Sequence, residues 1–439
     1  MNAHDRALTG GRVARRTLLG GLVGVAGAGA LSACSAGSAS SGSGASGGKE
    51  LSILLLGPTD KTIGYLNDTA IPAFADSTGF TVQVQQSDWG SGFQKVVTAA
   101  ASGTLTDLVM LGGIWTAPLA SKNALLPLDD LLADYADRDT FYPATIADCR
   151  YQDKTYAMPL YSDSRTAMYR KSLLEKAGAD PAKLPTTWQE YAALAKKLAK
   201  AGGGPVAFPT DWNLDKSVGL QQSFAQLILQ AGGTYYDASG KAQFSSDQGV
   251  QALEYLMSFY RDKLSSADSV FSGTGATPFV RGDAAMQYTG MSTIANARQN
   301  KADAVDDIVV GQPLASTDGG KPITSAWINK IGISAKTKNR DAAWQFLQHL
   351  NTPDVATFLG EQYGGLPARK DLSEAPYLKG ISPNLIGASQ YVVPQPPSPN
   401  MLTIAPQINT FLQQAIRLDG TAKDILTAMD AKINEINGV

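Results

Sequence analysis

Apolar and polar positions change their period along this chain. "ELSILLLG" is a short continuous apolar run of the length of a buried strand, followed by a turn at Pro58-Thr59-Asp60. Residues 64–76 carry a helical pattern, "FTVQVQQ" alternates as a half-buried strand does, residues 93–102 return to helix, and "TDLVML" repeats the buried-strand signal. This alternation predicts an α/β arrangement with a largely parallel sheet. Past about residue 160 helical periodicity dominates. Thr187 and Glu190 have capping-box spacing at the head of "YAALAKKLAK", which Gly202-Gly203-Gly204 stops. Val250, Leu253, Leu256, Met257, Tyr260 and Leu264 mark one face of a further helix. "VDDIVVGQPL" and "NKIGISA" return to strand character, and two amphipathic helices divided at Asp419-Gly420 close the chain. There is no internal repeat.

The first 33 residues follow a different logic. Arg6, Arg12, Arg15 and Arg16 precede a glycine-diluted apolar stretch from Leu18 to Leu31, then the small pair Ser32-Ala33, which is the layout of an export signal. Arg15-Arg16 before Thr17-Leu18-Leu19 also fits the twin-arginine route. The order Leu31-Ser32-Ala33-Cys34 resembles a bacterial lipobox, so Cys34 is expected to carry a diacylglycerol and become the new N-terminus. Two acyl chains make a stable membrane anchor. Residues 35–48, rich in Ser and Gly, would form a flexible tether behind it.

Composition narrows the chemistry. Removing the leader's four Lys/Arg and one Asp/Glu from totals of 37 and 39 leaves a net charge of about −5, which gives no reason to expect nucleic acid or an anionic membrane surface as the ligand. Beyond the leader, Cys149 is the one remaining thiol and is expected to be a small buried hydrophobe; His349 is the one remaining histidine and is expected to pack on a helix. That inventory nearly excludes a His/Cys zinc site, and a Ser-His-Asp triad would have to rely on a histidine with no nucleophile motif nearby. Gly42–Gly47 fits GxGxxG and Gly44–Gly48 fits GxSxG, but both matches fall in the tether, with no strand before and no helix after them, and carry no function.

A longer pattern is more informative. Asp153-Lys154-Thr155-Tyr156, Met158-Pro159-Leu160, Tyr169-Arg170-Lys171, Ala177-Gly178 and Pro185-Thr186-Thr187-Trp188-Gln189-Glu190 follow one another in order. They are followed by "AGGTYYDASGKAQFSSDQGVQALEYL", "FVRGDAAMQYTG", "RDAAWQFLQHLNTPD", "GGLPARKD" and "QQAIRLDGTAKDILTAM". This series resembles the family 1 extracellular solute-binding proteins of ABC importers, the group that includes maltose-binding protein. It departs from many relatives before "NKIGISA", where Ser325-Ala326-Trp327-Ile328 replaces a glycine pair. The resemblance implies a two-lobed periplasmic-binding-protein type II α/β fold with a ligand cleft between discontinuous lobes. The expected division is 49–160 plus 312–351 for lobe 1 and 161–311 plus 352–439 for lobe 2, with crossings near residues 159–162, 310–313 and 349–353.

A sugar site needs flat apolar faces and polar groups for hydroxyls. Trp188 and Trp344 sit in helix-opening motifs and are expected in cores, whereas Trp89, Trp115, Trp212 and Trp327 lie in loop-like or polar contexts and are candidates for the cleft. By resemblance, Asp163 stands where relatives place a hinge-proximal acid, Asp60 occupies the loop after the first strand, Tyr288 and Gly290 belong to a cleft-facing motif, and Arg369 follows a loop that touches ligand. Asp88 and Asp211 are weaker candidates. The expected function is lipid-anchored capture of a carbohydrate, a small oligosaccharide, for a membrane permease with its ATPase, by a monomer held at the outer face of the cell membrane. No cofactor, metal or covalent chemistry is expected. A phosphorylated polyol, polyamine or peptide remains an alternative, kept open by Lys61, Arg165 and Arg369, and a secreted glycosidase with two carboxylates is a further one.

Overall fold

The computed structural model describes residues 49–202, 207–208, 219–267 and 275–439. Cys34 with the whole leader and tether, Asp211 and Trp212 lie outside the described residues. Residues 49–439 form one compact unit.

The described strands are β1 (Glu50–Leu56), β2 (Thr81–Ser87), β3 (Leu108–Leu111), β4 (Arg150–Tyr151), β5 (Lys154–Thr155), β6 (Ala157–Ser164), β7 (Thr166–Arg170), β8 (Ala207–Phe208), β9 (Met286–Thr289), β10 (Ile308–Val310), β11 (Ala326–Ile333) and β12 (Leu366–Pro367). A six-stranded sheet runs β12-β6-β11-β3-β1-β2, and a four-stranded sheet runs β10-β7-β9-β8. β1 is parallel to both β2 and β3, as the strand–helix alternation predicts, but β11 joins β3 antiparallel and β6 joins β11 antiparallel. The first sheet is therefore mixed. Its antiparallel half comes from segments far along the chain, which local periodicity does not register.

Burial explains each strand's composition. β1 is covered on both faces, with Leu51, Ile53, Leu54, Leu55 and Leu56 all buried, which is why it reads as a continuous apolar run. β2 is the edge strand, and among its residues only Val82 is buried. The helical stretch after β1 runs from Asp60 to Thr78 with a π-helical turn at Leu66–Ala70 and ends at Gly79, whose φ of 75° suits a residue without a Cβ. The next helix begins at Trp89 rather than Phe93, because the Asp88 carboxylate accepts a 2.9 Å hydrogen bond from the Ser91 amide and caps it.

Each sheet has its own core. The first gathers Leu51, Leu111, Met158, Ile331, Phe346 and Leu347. The second sheet is packed on one face by Tyr169, Trp188, Phe224, Leu256, Ile404 and Leu426, and on the other by Met168, Phe279, Ile294 and Leu385. The chain passes from the first sheet to the second at Arg165, between β6 and β7, slightly beyond the expected crossing. It returns between β10 and β11. At the third passage the Pro353–Tyr363 helix puts Val355 and Leu359 into the first core and β12 pairs with β6, while Leu366 of β12 packs in the core that holds Met168 and Phe279. A proline-started helix looks alike in either lobe; only its packing partner decides.

Cys149 is fully buried, and burial pushes its thiol pKa up to about 12. His349 packs near Phe74 and hydrogen-bonds the Ala70 carbonyl at 2.8 Å. Among the described residues no helix is long and apolar enough to cross a membrane, and no group of three or more His, Cys, Asp or Glu is placed to hold a metal ion.

Candidate functional site

The C-terminal ends of the parallel strands carry an aromatic wall. β1 is followed by Gly57, whose φ is 59° and where a Cβ would lie 2.7 Å from Trp89 Nε1. β3 is followed by Gly112, where a Cβ would meet both Trp89 and Trp115 at 3.4 Å. Two glycines thus let the indoles settle on the strand ends. Trp89 and Trp115 meet edge to face, with ring centroids 6.1 Å apart, and Phe93 backs Trp115 at 5.2 Å. Trp115 is only 7% exposed, whereas Trp89 keeps 39%. The buried ring supports and the exposed ring presents a face. Trp89 lies in the first turn of its helix rather than in a loop, and Trp115 immediately precedes the Thr116–Ser121 helix.

The second part of the site sits where the chain crosses between sheets. Asp163 in β6 is directly opposite Trp327 in β11, so Trp327 is a strand residue and not a loop residue. The Arg165 guanidinium approaches Asp163 Oδ2 at 3.1 Å, lies 4.4 Å from the Trp327 ring centroid, and donates to Thr289 Oγ1 at 3.4 Å. Gly290, the residue before the Met291–Asn300 helix, backs onto the acid: a Cβ there would collide with Asp163 Oδ1 and lie 2.9 Å from the Ser164 carbonyl oxygen. Asp163 is 8% exposed, yet Oδ1 has no hydrogen-bond partner among the described residues. A buried carboxylate oxygen left without a donor is costly.

Gly113 joins the two parts. A Cβ on it would lie 3.6 Å from Gln222 Nε2 and 4.0 Å from the Trp327 Cα. Gln222 belongs to the Gly219–Gln230 helix of the second lobe, and the i, i+4, i+8 spacing puts Gln222, Gln226 and Gln230 on one face. Gln230 Nε2 donates to the Ile323 carbonyl at 2.7 Å, and Gln226 Oε1 accepts from Ser325 Oγ at 3.0 Å and from the Ser325 amide at 3.3 Å. Gln222 reaches past them; its Oε1 is buried and unpartnered among the described residues. Beside Gly113 and Gln222 lies a cavity of about 340 Å³, lined from one lobe by Gly113, Asp148 and Arg150, from the other by Gln222, and across the join by Ser325 and Pro394–Ser398; Trp89, Asp163 and Trp327 do not line it. These glutamines were not anticipated from sequence, although their spacing in the otherwise apolar "LQQSFAQLILQ" is a legible signal.

Other candidates lie elsewhere. Strand alternation turns Tyr288 with Met286 into the second lobe's core, where burial raises its hydroxyl pKa to about 12. Arg369 is 3% exposed and makes four hydrogen bonds with its five N–H donors: it donates to Asp371 at 2.6 and 3.0 Å, to Asp137 at 3.1 Å and to the Asn351 carbonyl at 2.6 Å, and it lies over Phe141. It ties chain segments of the first lobe together. Asp60 and Lys61 are exposed at the start of the helix after β1, and Asp88 is the helix cap described above, held below the usual carboxylate range first by the Ser91 hydroxyl.

Comparison with known proteins agrees with this architecture. The profile of the bacterial extracellular solute-binding proteins matches residues 61–357. A probable amino-acid ABC transporter periplasmic-binding protein of Sinorhizobium fredii is 25% identical over 74% of this chain and 75% of its own length. The sn-glycerol-3-phosphate-binding periplasmic protein of Yersinia pestis is 23% identical over 78% of this chain and 81% of its own. Among solved structures, maltose-bound MalE3 of T. maritima superposes with a TM-score of 0.74 at 23% identity, covering 88% of this chain and 99% of that one. A solute-binding protein of Thermotoga lettingae bound to α-D-tagatose gives 0.75 at 22% identity, with 88% and 99% covered.

Proposed function

The chain belongs to the bacterial extracellular solute-binding protein family, and from that premise we propose that it captures a carbohydrate, a small oligosaccharide, in the cleft between its lobes and delivers it to an ABC permease. The supporting observation is the pairing of aromatic faces with unsatisfied polar oxygens. Trp89 and Trp327 offer planes for the C–H side of a sugar ring, while Asp163 Oδ1 and Gln222 Oε1 are buried acceptors waiting for hydroxyl donors. Similar structures include proteins bound to maltose, to α-D-tagatose and to ribitol, all polyhydroxylated solutes.

The phosphorylated-polyol alternative has less support. A phosphate group wants an uncommitted Arg or Lys. Among the described residues, Arg165 is already paired with Asp163 and Lys330 beside the cavity is paired with Asp148, which leaves Arg150, on the cavity wall and donating to the Asp153 carbonyl, as the guanidinium a phosphate would meet. A glycosidase needs one carboxyl as acid and another as base or nucleophile. Asp163 and Asp148 are each held by a cation, and no chemistry on the solute is proposed.

In this reading binding shifts an open–closed equilibrium, and the permease with its ATPase recognises the closed form. Cys34 carries the lipid, residues 35–48 are the tether, and the protein works as a monomer at the outer face of the cell membrane. A thermal-shift panel of maltose, maltotriose, tagatose, ribitol, glycerol 3-phosphate, spermidine and a tripeptide tests the solute class. A solute at 100 times its Kd adds about 2.7 kcal/mol of stability, a readily visible rise in Tm. Stabilisation by saccharides supports the reading; stabilisation by glycerol 3-phosphate, spermidine or the peptide alone overturns it.

A further inference from the structure

Lys330 is an odd residue for its place. It stands in the interior of β11, between β3 and β6, among Ile328, Ile331 and Ile333, and it is completely buried. Its pairing with β6 is irregular there, since Asn329 faces Tyr161 and Lys330 faces Pro159, leaving Leu160 unmatched in the ladder. An ammonium has three N–H donors. Lys330 Nζ has an acceptor for each: the Gly113 carbonyl at 3.1 Å, the Asp148 carbonyl at 2.8 Å and the Asp148 carboxylate.

Both targets are walls of the cavity. Gly113 sits in the turn after β3, against Gln222 and Trp327. Asp148 follows the Pro143–Ala147 helix, and its side chain keeps 13% exposure. Among the described residues no strand pairing links these two turns to each other; Thr116 Oγ1 donates to the Asp148 carbonyl at 3.2 Å, and the Lys330 ammonium adds the charged link that reaches both Gly113 and the Asp148 carboxylate.

We propose that Lys330 is a positioning residue for solute binding: from inside the sheet it clamps the Gly112–Gly113 turn to Asp148 and so fixes the shape of the cavity wall that the solute meets. This rests on the carbohydrate-binding reading above. Stability alone does not account for such a lysine, because replacing a buried ion pair by apolar residues of similar size is often neutral or stabilising, whereas a strand flanked by isoleucines has an obvious apolar solution. The charged group brings direction, since each of its three hydrogen bonds holds a different acceptor in place.

The test is the double variant Lys330→Met with Asp148→Leu, which removes both charges and leaves neither buried alone, compared with the wild-type protein in three measurements. Amide hydrogen exchange in the solute-free protein is expected to rise about tenfold in residues 111–117 and 146–151 while the remainder of the first sheet stays protected. The Kd for maltose, or for whichever panel saccharide binds best, is expected to rise about tenfold or more, with Tm within about 5 °C of wild type. A folded double variant with exchange and Kd both within about twofold of wild type overturns the proposal. So does a variant whose exchange rises evenly throughout the first sheet, which is the signature of a merely structural pair. Should the double variant not fold, Lys330→Gln takes its place, because an amide still donates to two carbonyls; it should show the same two segments loosened to a smaller extent, and a wild-type exchange pattern in it overturns the proposal. If no saccharide binds the wild-type protein, the carbohydrate reading fails, and exchange at the two turns still decides whether Lys330 clamps them.

Discussion

Asp163 and Arg369 share a description and differ in one respect. Both are charged, both are more than nine-tenths buried, and both stand in segments whose sequence marks them for the solute. Arg369 spends its guanidinium on the chain itself, with Asp137, Asp371 and the Asn351 carbonyl as acceptors and Phe141 beneath. Asp163 gives one oxygen to Arg165 and holds the other, Oδ1, against Gly290 with no donor. Between these two residues, saturation is what separates a tie from a candidate site: Arg369 has little left to offer a ligand, whereas Asp163 Oδ1 lacks a donor.

The largest effect should come from the tie. Arg369→Ala removes four hydrogen bonds, orphans the buried Asn351 carbonyl and empties the space over Phe141. A broken buried pair costs roughly 3–5 kcal/mol. Asp137 and Asp371 keep 44% and 41% exposure and rehydrate easily, so about 3 kcal/mol is expected here, measured by urea unfolding. Solute affinity in the folded fraction should stay within about twofold. A large loss of affinity at unchanged stability would put Arg369 in the cleft after all and erase the contrast.

Asp163→Asn should behave the other way round. Asparagine keeps an acceptor for Arg165 but leaves that buried guanidinium without its counter-charge, so some stability is lost as well, and the charged acceptor for a hydroxyl is gone. Hydrogen bonds to charged groups are worth about 2 kcal/mol, so the saccharide Kd should rise about 30-fold by calorimetry. If the cost appears in Tm and not in Kd, Asp163 belongs with Arg369 as a tie.

Trp89→Ala probes the aromatic wall with a smaller effect. Its ring is 39% exposed and supported from behind by Trp115, so its loss exposes little core. About 1 kcal/mol of binding, near a fivefold change in Kd, is expected from losing one stacking face, with stability nearly unchanged. The wall would be structural if stability fell and affinity did not.

How much of this contrast was legible in the sequence depends on how far each residue's partners lie along the chain. Residue type and motif position singled out Trp89 and Trp115, which the structure puts together at the ends of β1 and β3, and Asp163, Gly290 and Trp327, which it puts together where the chain crosses between sheets. The same reasoning misplaced Tyr288, because period-2 alternation pairs it with Met286 in the core, and its neighbour Thr289 takes the side facing Arg165. Arg369 was misread because its acceptors come from residues 137, 351 and 371, and saturation by distant carbonyls leaves no local trace. Lys330 was invisible for the same reason: a lysine in "NKIGISA" reads as a solvent-facing strand position until β3 and β6 close over it. The parallel half of the first sheet was legible because its strands are separated by helices in sequence order; the antiparallel half is assembled from residues 157–164, 326–333 and 366–367, far apart along the chain, and was not.

The smallest effect tests the tie by pH. The Arg369 guanidinium hydrogen-bonds Asp371 and holds its carboxyl below the usual carboxylate range. An acid whose pKa is lowered by folding adds stability above its unfolded pKa, near 3.9, and loses it as pH falls through the lower folded value. Wild-type protein should therefore exceed Asp371→Asn in Tm by a constant margin from neutral pH to about pH 5, and the two curves should converge below about pH 3. Asp371 is 41% exposed and water screens the pair, so the margin is expected below about 1 kcal/mol. Saccharide affinity should be the same in both proteins throughout the range where both are folded. A Kd that follows the Asp371 titration would mean that this corner of the first lobe senses the cleft, and saturation would no longer separate the tie from the site.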